Sequence, residues 1–305
     1  MIAEEAGAVR SVRSTAPVRV ADVGGWTDTW FGSPGQVCHL AVGPGVQVDA
    51  ALVEADPSAD RPVRLVAPRI GADHHVGPSP ERGWAQPVPA REPLLEHAVG
   101  AILSGADLPP GAGVEVVIES MVPPGASLGT SASVVVAVLG ALDALAAGGR
   151  RSPQDLARLA HRVETERAGR EAGVQDQWAA AMGGAELLAV GPYPETRHQP
   201  VALDGATTAA LSRRLLTVVF EAHDSSAVHG EVSHALLSCD GDDHSRSRAA
   251  LRRLSALAAD AASALRSSDV DGWADVLTAA TAAQADLHPG LVGASHRAAI
   301  DDATG

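Results

Sequence analysis

Between Met121 and Ser133 the chain reads Met-Val-Pro-Pro-Gly-Ala-Ser-Leu-Gly-Thr-Ser-Ala-Ser. An alternating run, Gly113 to Ser120, precedes this stretch, and an apolar run, Val134 to Ala147, follows it. Strand, small-residue loop, helix is an anion-binding arrangement, because the first backbone N–H groups of a helix lack internal partners and its dipole adds partial positive charge there. Phosphate is the first expectation. Gly125 and Gly129 would allow close backbone approach, with Thr130, Ser131 and Ser133 supplying hydroxyls. The same residues admit a second chemistry. Gly125-Ala126-Ser127-Leu128-Gly129 fits G-x-S-x-G, in which Ser127 would attack an acyl carbon. That motif needs a strand running straight into the turn, and Pro123 and Pro124 stand where its last residues belong. His223, His229 and His288 could serve as its base, but none carries a local signature.

Other reactive residues are sparse. His74-His75 invites a metal reading, without a carboxylate or third His at helical spacing. Cys38 and Cys239 lie far apart, outside any CxxC, and read as small buried or half-buried thiols. There is no Lys, which removes the Walker A loop. A net charge of -14 excludes nucleic acid or an anionic membrane as the main partner. The first thirteen residues carry Glu4 and Glu5 and lack an apolar signal-peptide region, and no uninterrupted apolar stretch approaches a membrane span, so a cytoplasmic protein is expected.

The elements that must position this chemistry follow from periodicity. Ala16 to Val23 alternates like a strand, and Gly24 to Asp28 interrupts it as a loop. Gln36 to Val53 reads as two strands around Gly43-Pro44-Gly45, Val63 to Ile70 as another strand, and Gly71 to Arg91 as an exposed loop. Leu94 to Ser104 is helical in period. Ser152-Pro153-Gln154-Asp155 starts a helix that should reach Ala168, since Ser is a good N-cap and Pro suits the first helical position. A short helix within Gly173 to Gly184 and a strand at Ala185 to Val190 follow, and Gly191 to Pro194 opens a domain boundary. Beyond it, Leu215 to Glu221 reads as a buried strand. Val228 to Leu237, Ala249 to Leu265 and Gly272 to Ala283 read as helices, and Gly290 to Gly305 begins another. His223-Asp224-Ser225-Ser226 is a candidate substrate-facing loop.

Three ordered motifs carry a family resemblance. Pro123-Pro124-Gly125-Ala126-Ser127-Leu128-Gly129-Thr130-Ser131-Ala132 resembles the second motif of the GHMP kinases, Pro-x-x-x-Gly-Leu-Gly-Ser-Ser-Ala, with Ser127 replacing the first Gly of Gly-Leu-Gly. Ala16-Pro17-Val18-Arg19 followed by Gly24-Gly25-Trp26-Thr27-Asp28 looks like the first motif of sugar-directed members, closest to fucokinase and heptose-phosphate kinases. Glu164 and the segment Gly173 to Ala181, with Gly183-Gly184, are similar to the acidic pair of those kinases. The resemblance runs from about Ala16 to Val190.

It implies an α+β (mixed α/β), two-domain GHMP-kinase fold. An ATP-binding domain would occupy 1–195 and a shortened ferredoxin-like domain 205–305, since nothing after Leu287 resembles the family's third glycine-rich segment. It implies ATP and Mg²⁺ as cofactors, with Ser131 and Glu164 holding the metal and residues 124–132 wrapping the nucleotide phosphates. Within that loop the expected contacts are Pro124, Gly125, Ala126, Ser127, Leu128, Gly129, Thr130, Ser131 and Ala132. Asp176 would take the acceptor hydroxyl's proton and Arg19 would compensate charge. Gly25, Trp26, Asp28 and Gln175 would bind the sugar or sugar phosphate. The implied function is an ATP-dependent sugar kinase. A catalytically weak sugar- or nucleotide-binding relative and a serine hydrolase on Ser127 are the alternatives.

Overall fold

A computed structural model describes residues 10–55, 61–106, 108–123, 125–146, 148–218, 220, 225–237 and 242–304, with the backbone alone for residues 44, 225–228, 242–243 and 304. In chain order the strands and α-helices are β1 (Ser11–Val23), β2 (Gly35–Glu54), β3 (Val63–Ala67), β4 (Ala72–Ser79), β5 (Gly83–Val88), α1 (Pro93–Leu103), β6 (Ala112–Ser120), α2 (Thr130–Ala146), α3 (Pro153–Arg162), α4 (Gln175–Met182), β7 (Ala185–Val190), β8 (Thr196–Pro200), α5 (Gly205–Arg214), α6 (Ser225–Leu237), α7 (Asp242–Arg266), α8 (Val270–Leu287) and α9 (Ala294–Thr304). The strands form one sheet in the order β5-β4-β3-β6-β2-β7-β8, with β1 paired to β2. Only β3 with β6 is parallel among these pairs.

The organising strand is β2. Its first residues, Gly35 to Leu40, pair with β7, and its last, Val46 to Glu54, pair with β6, while β1 runs antiparallel along it. The Gly-Pro-Gly that suggested a turn between two strands is therefore the point where one strand changes partners. Opposite it, the register of β1 shifts between Ala16 and Val18. Pro17 fits that irregularity because it cannot donate to a regular ladder.

Helix α2 is apolar nearly all round, as a buried helix should be. Val135, Val138, Leu139 and Leu142 have no exposed surface, and they pack with α1 and with β2, β3 and β6 in the first core cluster. Each such side chain contributes about 1.5–3 kcal/mol by leaving water. This burial fixes the helix N-terminus, and so the loop before it, relative to β1. A second cluster joins Val20, Cys38, Leu40 and Leu187 to Leu254, Ala258, Ala261 and Leu265 of α7 and to Trp273 of α8. Cys38 is buried, while Cys239 lies outside the described residues.

Further expectations need correction. Residues 71–91 form the β4–β5 hairpin rather than an exposed loop. His74 there is buried, and its Nε2 pairs at 2.8 Å with Oε1 of the equally buried Glu96, so a polar residue occupies an inward strand position because a carboxylate meets it. The helix from Ser152 has Ser152 as its N-cap as expected, closed by a capping box with Asp155, but α3 ends at Arg162 and continues as a π-helical turn, Val163–Arg167. Residues 215–218 and 220 form no strand, and Leu216 is 82% exposed. No strand runs beside them among the described residues, and an extended segment without a ladder partner leaves its backbone groups to water. After Pro200 the described regular elements are all helical, so strands of a ferredoxin-like unit are not among them. No described helix is long and apolar enough to cross a membrane.

Candidate active site

Arg19 is the hub. On β1, beyond the register shift, its backbone N–H donates to Leu128 O at 3.0 Å, tying the small-residue loop to the strand. Its Nε donates to Asp176 Oδ1 at 2.8 Å, and its Nη1 donates to Asp22 Oδ1 at 2.9 Å and to Ser127 O at 3.0 Å. Burial opposes the guanidinium's charge, but Asp176 and Asp22 outweigh it and raise its pKa above the ordinary value.

The loop closes onto this pair. A Cβ on Gly129 would stand 3.1 Å from Asp176 Cγ, 3.2 Å from Asp176 Oδ2 and 3.3 Å from Arg19 Cγ. Gly129 also has φ +70°, where a side chain is strained, so glycine is required here twice over. Asp176 thus gives one oxygen to Arg19 and turns the other toward the loop. Thr130, Ser131 and Ala132 open α2 directly after Gly129, and Ser133 Oγ donates to Pro17 O at 2.6 Å and to Gly129 O at 3.1 Å. Buried Thr130 Oγ1 has no hydrogen-bond partner among the described residues. Gly125 and Ser127 are exposed and Ala126 and Leu128 half-buried, while Pro124 lies outside the described residues. Ser127 has φ 56°, a conformation that favours glycine, which is the physical cost of its departure from Gly-Leu-Gly. It also sits well beyond the end of β6 at Ser120, so the sharp strand-to-helix turn of a hydrolase elbow is not built.

Glu164 lies in the π-helical turn and is 6% exposed. Its Oε1 accepts from Ser131 Oγ at 3.2 Å and its Oε2 from Gln177 Nε2 at 2.7 Å. Burial raises its pKa, the Gln177 hydrogen bond opposing the shift. A carboxylate and a hydroxyl are hard oxygen donors suited to Mg²⁺, which takes few protein ligands and completes its shell with phosphate and water. The donor set fits that ion as a partial shell. Among the described residues no group of three His, Cys, Asp or Glu could hold a metal by itself.

On the other side of Asp176 stands Asp28, 4% exposed, whose Oδ2 accepts from Gln175 N at 3.0 Å. A Cβ on Gly173 would come within 2.0 Å of that oxygen, so the chain can pass Asp28 only as glycine. Burial raises the pKa of Asp28 to about 6, opposed by the Gln175 hydrogen bond and reinforced by Asp176. Gln175 is buried, its Nε2 has no hydrogen-bond partner among the described residues, and a Cβ on Gly25 would lie 3.9 Å from Gln175 Oε1. Trp26 is held at φ 78°, an outlier for a bulky residue, and its ring lies 4.8 Å from that of His229. The loop carrying Gly173 is anchored by Tyr193, whose hydroxyl contacts His161 Nε2 at 2.7 Å and donates to Ala172 O at 2.9 Å.

The residues expected at the site and described here are therefore brought together. Asp22, Gln177, Tyr193 and His229 join them without having been singled out for these positions. Asp22 had a legible signal, standing three residues after Arg19 beside the Gly-Gly turn. The others meet the site only through tertiary packing. His39, fully buried nearby on β2, has its pKa lowered to about 4 by burial and then by Arg19, which makes it a neutral neighbour. A cavity of about 330 Å³ lined by Pro17, Gly43, Gly45 and Met121, among others, borders the start of the loop. Residues 221–224 of the expected substrate-facing loop lie outside the described residues, as do the side chains of 225 and 226.

Residues 94–184 match the family model described as GHMP kinases N terminal domain. Mevalonate kinase from Thermococcus sibiricus is 43% identical over 72 residues, 24% of this chain and 21% of that protein. The one from Pyrococcus abyssi is 38% identical over 90 residues, 30% of this chain and 26% of that protein. The matched stretch thus spans about a quarter of the curated relatives or less. Among solved structures, a D-glycero-D-manno-heptose 1-phosphate kinase from Bacteriodes thetaiotaomicron is similar with TM-score 0.63 and 19% identity, over 88% of this chain and 76% of that one. Lactococcus lactis galactokinase gives 0.61 and 19%, over 91% and 75%. Methanococcus jannaschii mevalonate kinase gives 0.59 and 12%, over 92% and 80%. At these identities the likeness is one of fold.

Proposed function

We propose, for a chain that carries a GHMP kinase N-terminal domain on a GHMP kinase fold, transfer of the γ-phosphoryl group of ATP to a hydroxyl of a sugar or sugar phosphate in the cytoplasm. The observation that carries this reading is the convergence at Gly129, where the N-terminus of α2, Arg19 and Asp176 meet within one side chain's reach. Phosphoryl transfer asks a protein mainly for positioning and charge compensation.

The first N–H groups of α2 and the loop from Gly125 to Gly129 bind the phosphates. Mg²⁺, held by Ser131 Oγ and Glu164, would neutralise phosphate charge. Asp28 and Gln175 orient the acceptor, with Trp26 as a wall. Asp176 accepts the proton of the attacking hydroxyl on Oδ2, while Arg19 fixes Oδ1 and offsets charge developing at the transferred group. The sugar is favoured over mevalonate by the Gly-Gly-Trp-Thr-Asp turn, which presents an aromatic face beside a buried carboxylate.

ADP release with ATP, Mg²⁺ and a panel of monosaccharides and heptose phosphates tests the reading. Acceptor-dependent release is expected, and its absence with the whole panel counts against kinase function. A binding protein of weak turnover is the second reading, favoured by the strained Ser127 in the loop. Calorimetric binding of a sugar without ADP release would select it.

A further inference from the structure

Arg13 grips Asp49 with Nε at 2.7 Å and Nη2 at 3.1 Å, and Arg64 grips Asp73 with Nε at 3.0 Å and Nη2 at 2.8 Å. A planar guanidinium favours such two-pronged pairing with a carboxylate. Arg19 departs from it. It gives Asp176 its Nε alone, at 2.8 Å, while its Nη1 turns away to Asp22 Oδ1 at 2.9 Å and Ser127 O at 3.0 Å. Asp176 Oδ2 receives no hydrogen bond from Arg19 and lies against the loop, 3.2 Å from where a Cβ on Gly129 would stand. A second grip on that oxygen would occupy the atom that has to take a proton.

The chain accepts strain to bring Asp22 to Arg19. Asp22 stands three residues later, and in a regular strand that spacing sends two side chains to opposite faces. A bulge removes the mismatch. Val20 pairs with Leu40 and Val23 with Cys38, so β1 advances three residues where β2 advances two, and both valines enter the second core cluster. Between them Ala21 has φ 52°, in the left-handed region that alanine disfavours. Arg19 and Asp22 therefore share the face away from that core, where they pair. We propose that Asp22 is a positioning residue: by holding Nη1 it keeps Arg19 to a single bond with Asp176 and leaves Oδ2 open for the acceptor's proton. This rests on the kinase reading and deepens it.

Asp22→Ala and Asp22→Asn test this in ADP release with ATP, Mg²⁺ and the monosaccharides and heptose phosphates. Asp22→Ala should lower kcat at least about tenfold, while acceptor KM and calorimetric ATP affinity change by no more than about threefold. Asp22→Asn keeps an oxygen that can accept from Nη1 and should restore kcat to within about threefold of wild type. An Asn variant as slow as the Ala variant would overturn the inference. So would an Ala variant whose urea midpoint falls while kcat per folded molecule stays at the wild-type value, the mark of a merely structural pair. A crystal structure of Asp22→Ala should show Arg19 gripping both oxygens of Asp176, and a pair still held through Nε alone would overturn the inference whether or not the protein is a kinase. Full turnover by Asp22→Ala overturns it and leaves the kinase reading intact. ADP release by wild type with none of the acceptors would remove the kinase reading and the proton-taking role of Oδ2 with it.

Discussion

Asp28→Asn should make the protein more stable while damaging its acceptor site, and the gain should appear only as pH rises. Asp28 is 4% exposed, and its pKa is raised from 3.8 to about 6 mainly by burial. A carboxyl group with a raised pKa binds more protons folded than unfolded between about pH 4 and pH 6, so stability falls as pH rises through that window. A shift of about two units corresponds to roughly 3 kcal/mol, fully lost above about pH 6. Asparagine is nearly isosteric, its carbonyl oxygen can accept from Gln175 N as Asp28 Oδ2 does at 3.0 Å, and it does not ionise. Urea unfolding of wild type and variant, followed by Trp fluorescence between pH 4 and pH 7.5, should therefore give a stability difference that grows by about 3 kcal/mol in the variant's favour. Titrations common to both proteins cancel in that difference. A difference independent of pH, or one that shrinks as pH rises, would refute the burial argument for Asp28.

Three further outcomes follow from the same geometry. Gly129→Ala places a methyl group 3.1 Å from Asp176 Cγ at φ +70°; it should cost about 1–2 kcal/mol in thermal unfolding and weaken ATP binding measured by calorimetry. Glu164→Gln keeps groups able to bond Ser131 and Gln177 but removes the charge, so the Mg²⁺ concentration needed for half-maximal activity should rise at least about tenfold. Tyr193→Phe deletes the hydroxyl shared by His161 and Ala172 O and should cost about 1–3 kcal/mol in urea unfolding, because buried polar groups lose their partner.

The sequence made the loop before α2 legible because glycine, hydroxyl residues and the flanking periods all point to one local arrangement. The N-cap at Ser152 was equally readable, being a contact within four residues. Local pattern failed where tertiary partners decide. The β4–β5 hairpin looked like a loop because its His, Gly and Pro content masks an alternation that buries His74 against Glu96, twenty-two positions away. Leu215 to Glu221 has strand propensity, yet propensity without a neighbouring ladder makes no strand among the described residues. At the site, Arg19 and Asp176 were singled out through their motifs, but their 2.8 Å pairing spans 157 positions. The same holds for Gln177 on Glu164, which depends on the π-helical turn that α3 adopts at its end.

The central claim, that Asp176 acts on an acceptor hydroxyl beside a phosphate loop, is tested most directly by comparing Asp176→Asn with wild type in sugar-dependent ADP release and in ATP binding by calorimetry. In the variant kcat should be lower by at least about a hundredfold, as expected for loss of a general base, with ATP affinity changed by no more than about threefold, or 0.7 kcal/mol. Undiminished turnover in the variant would contradict it.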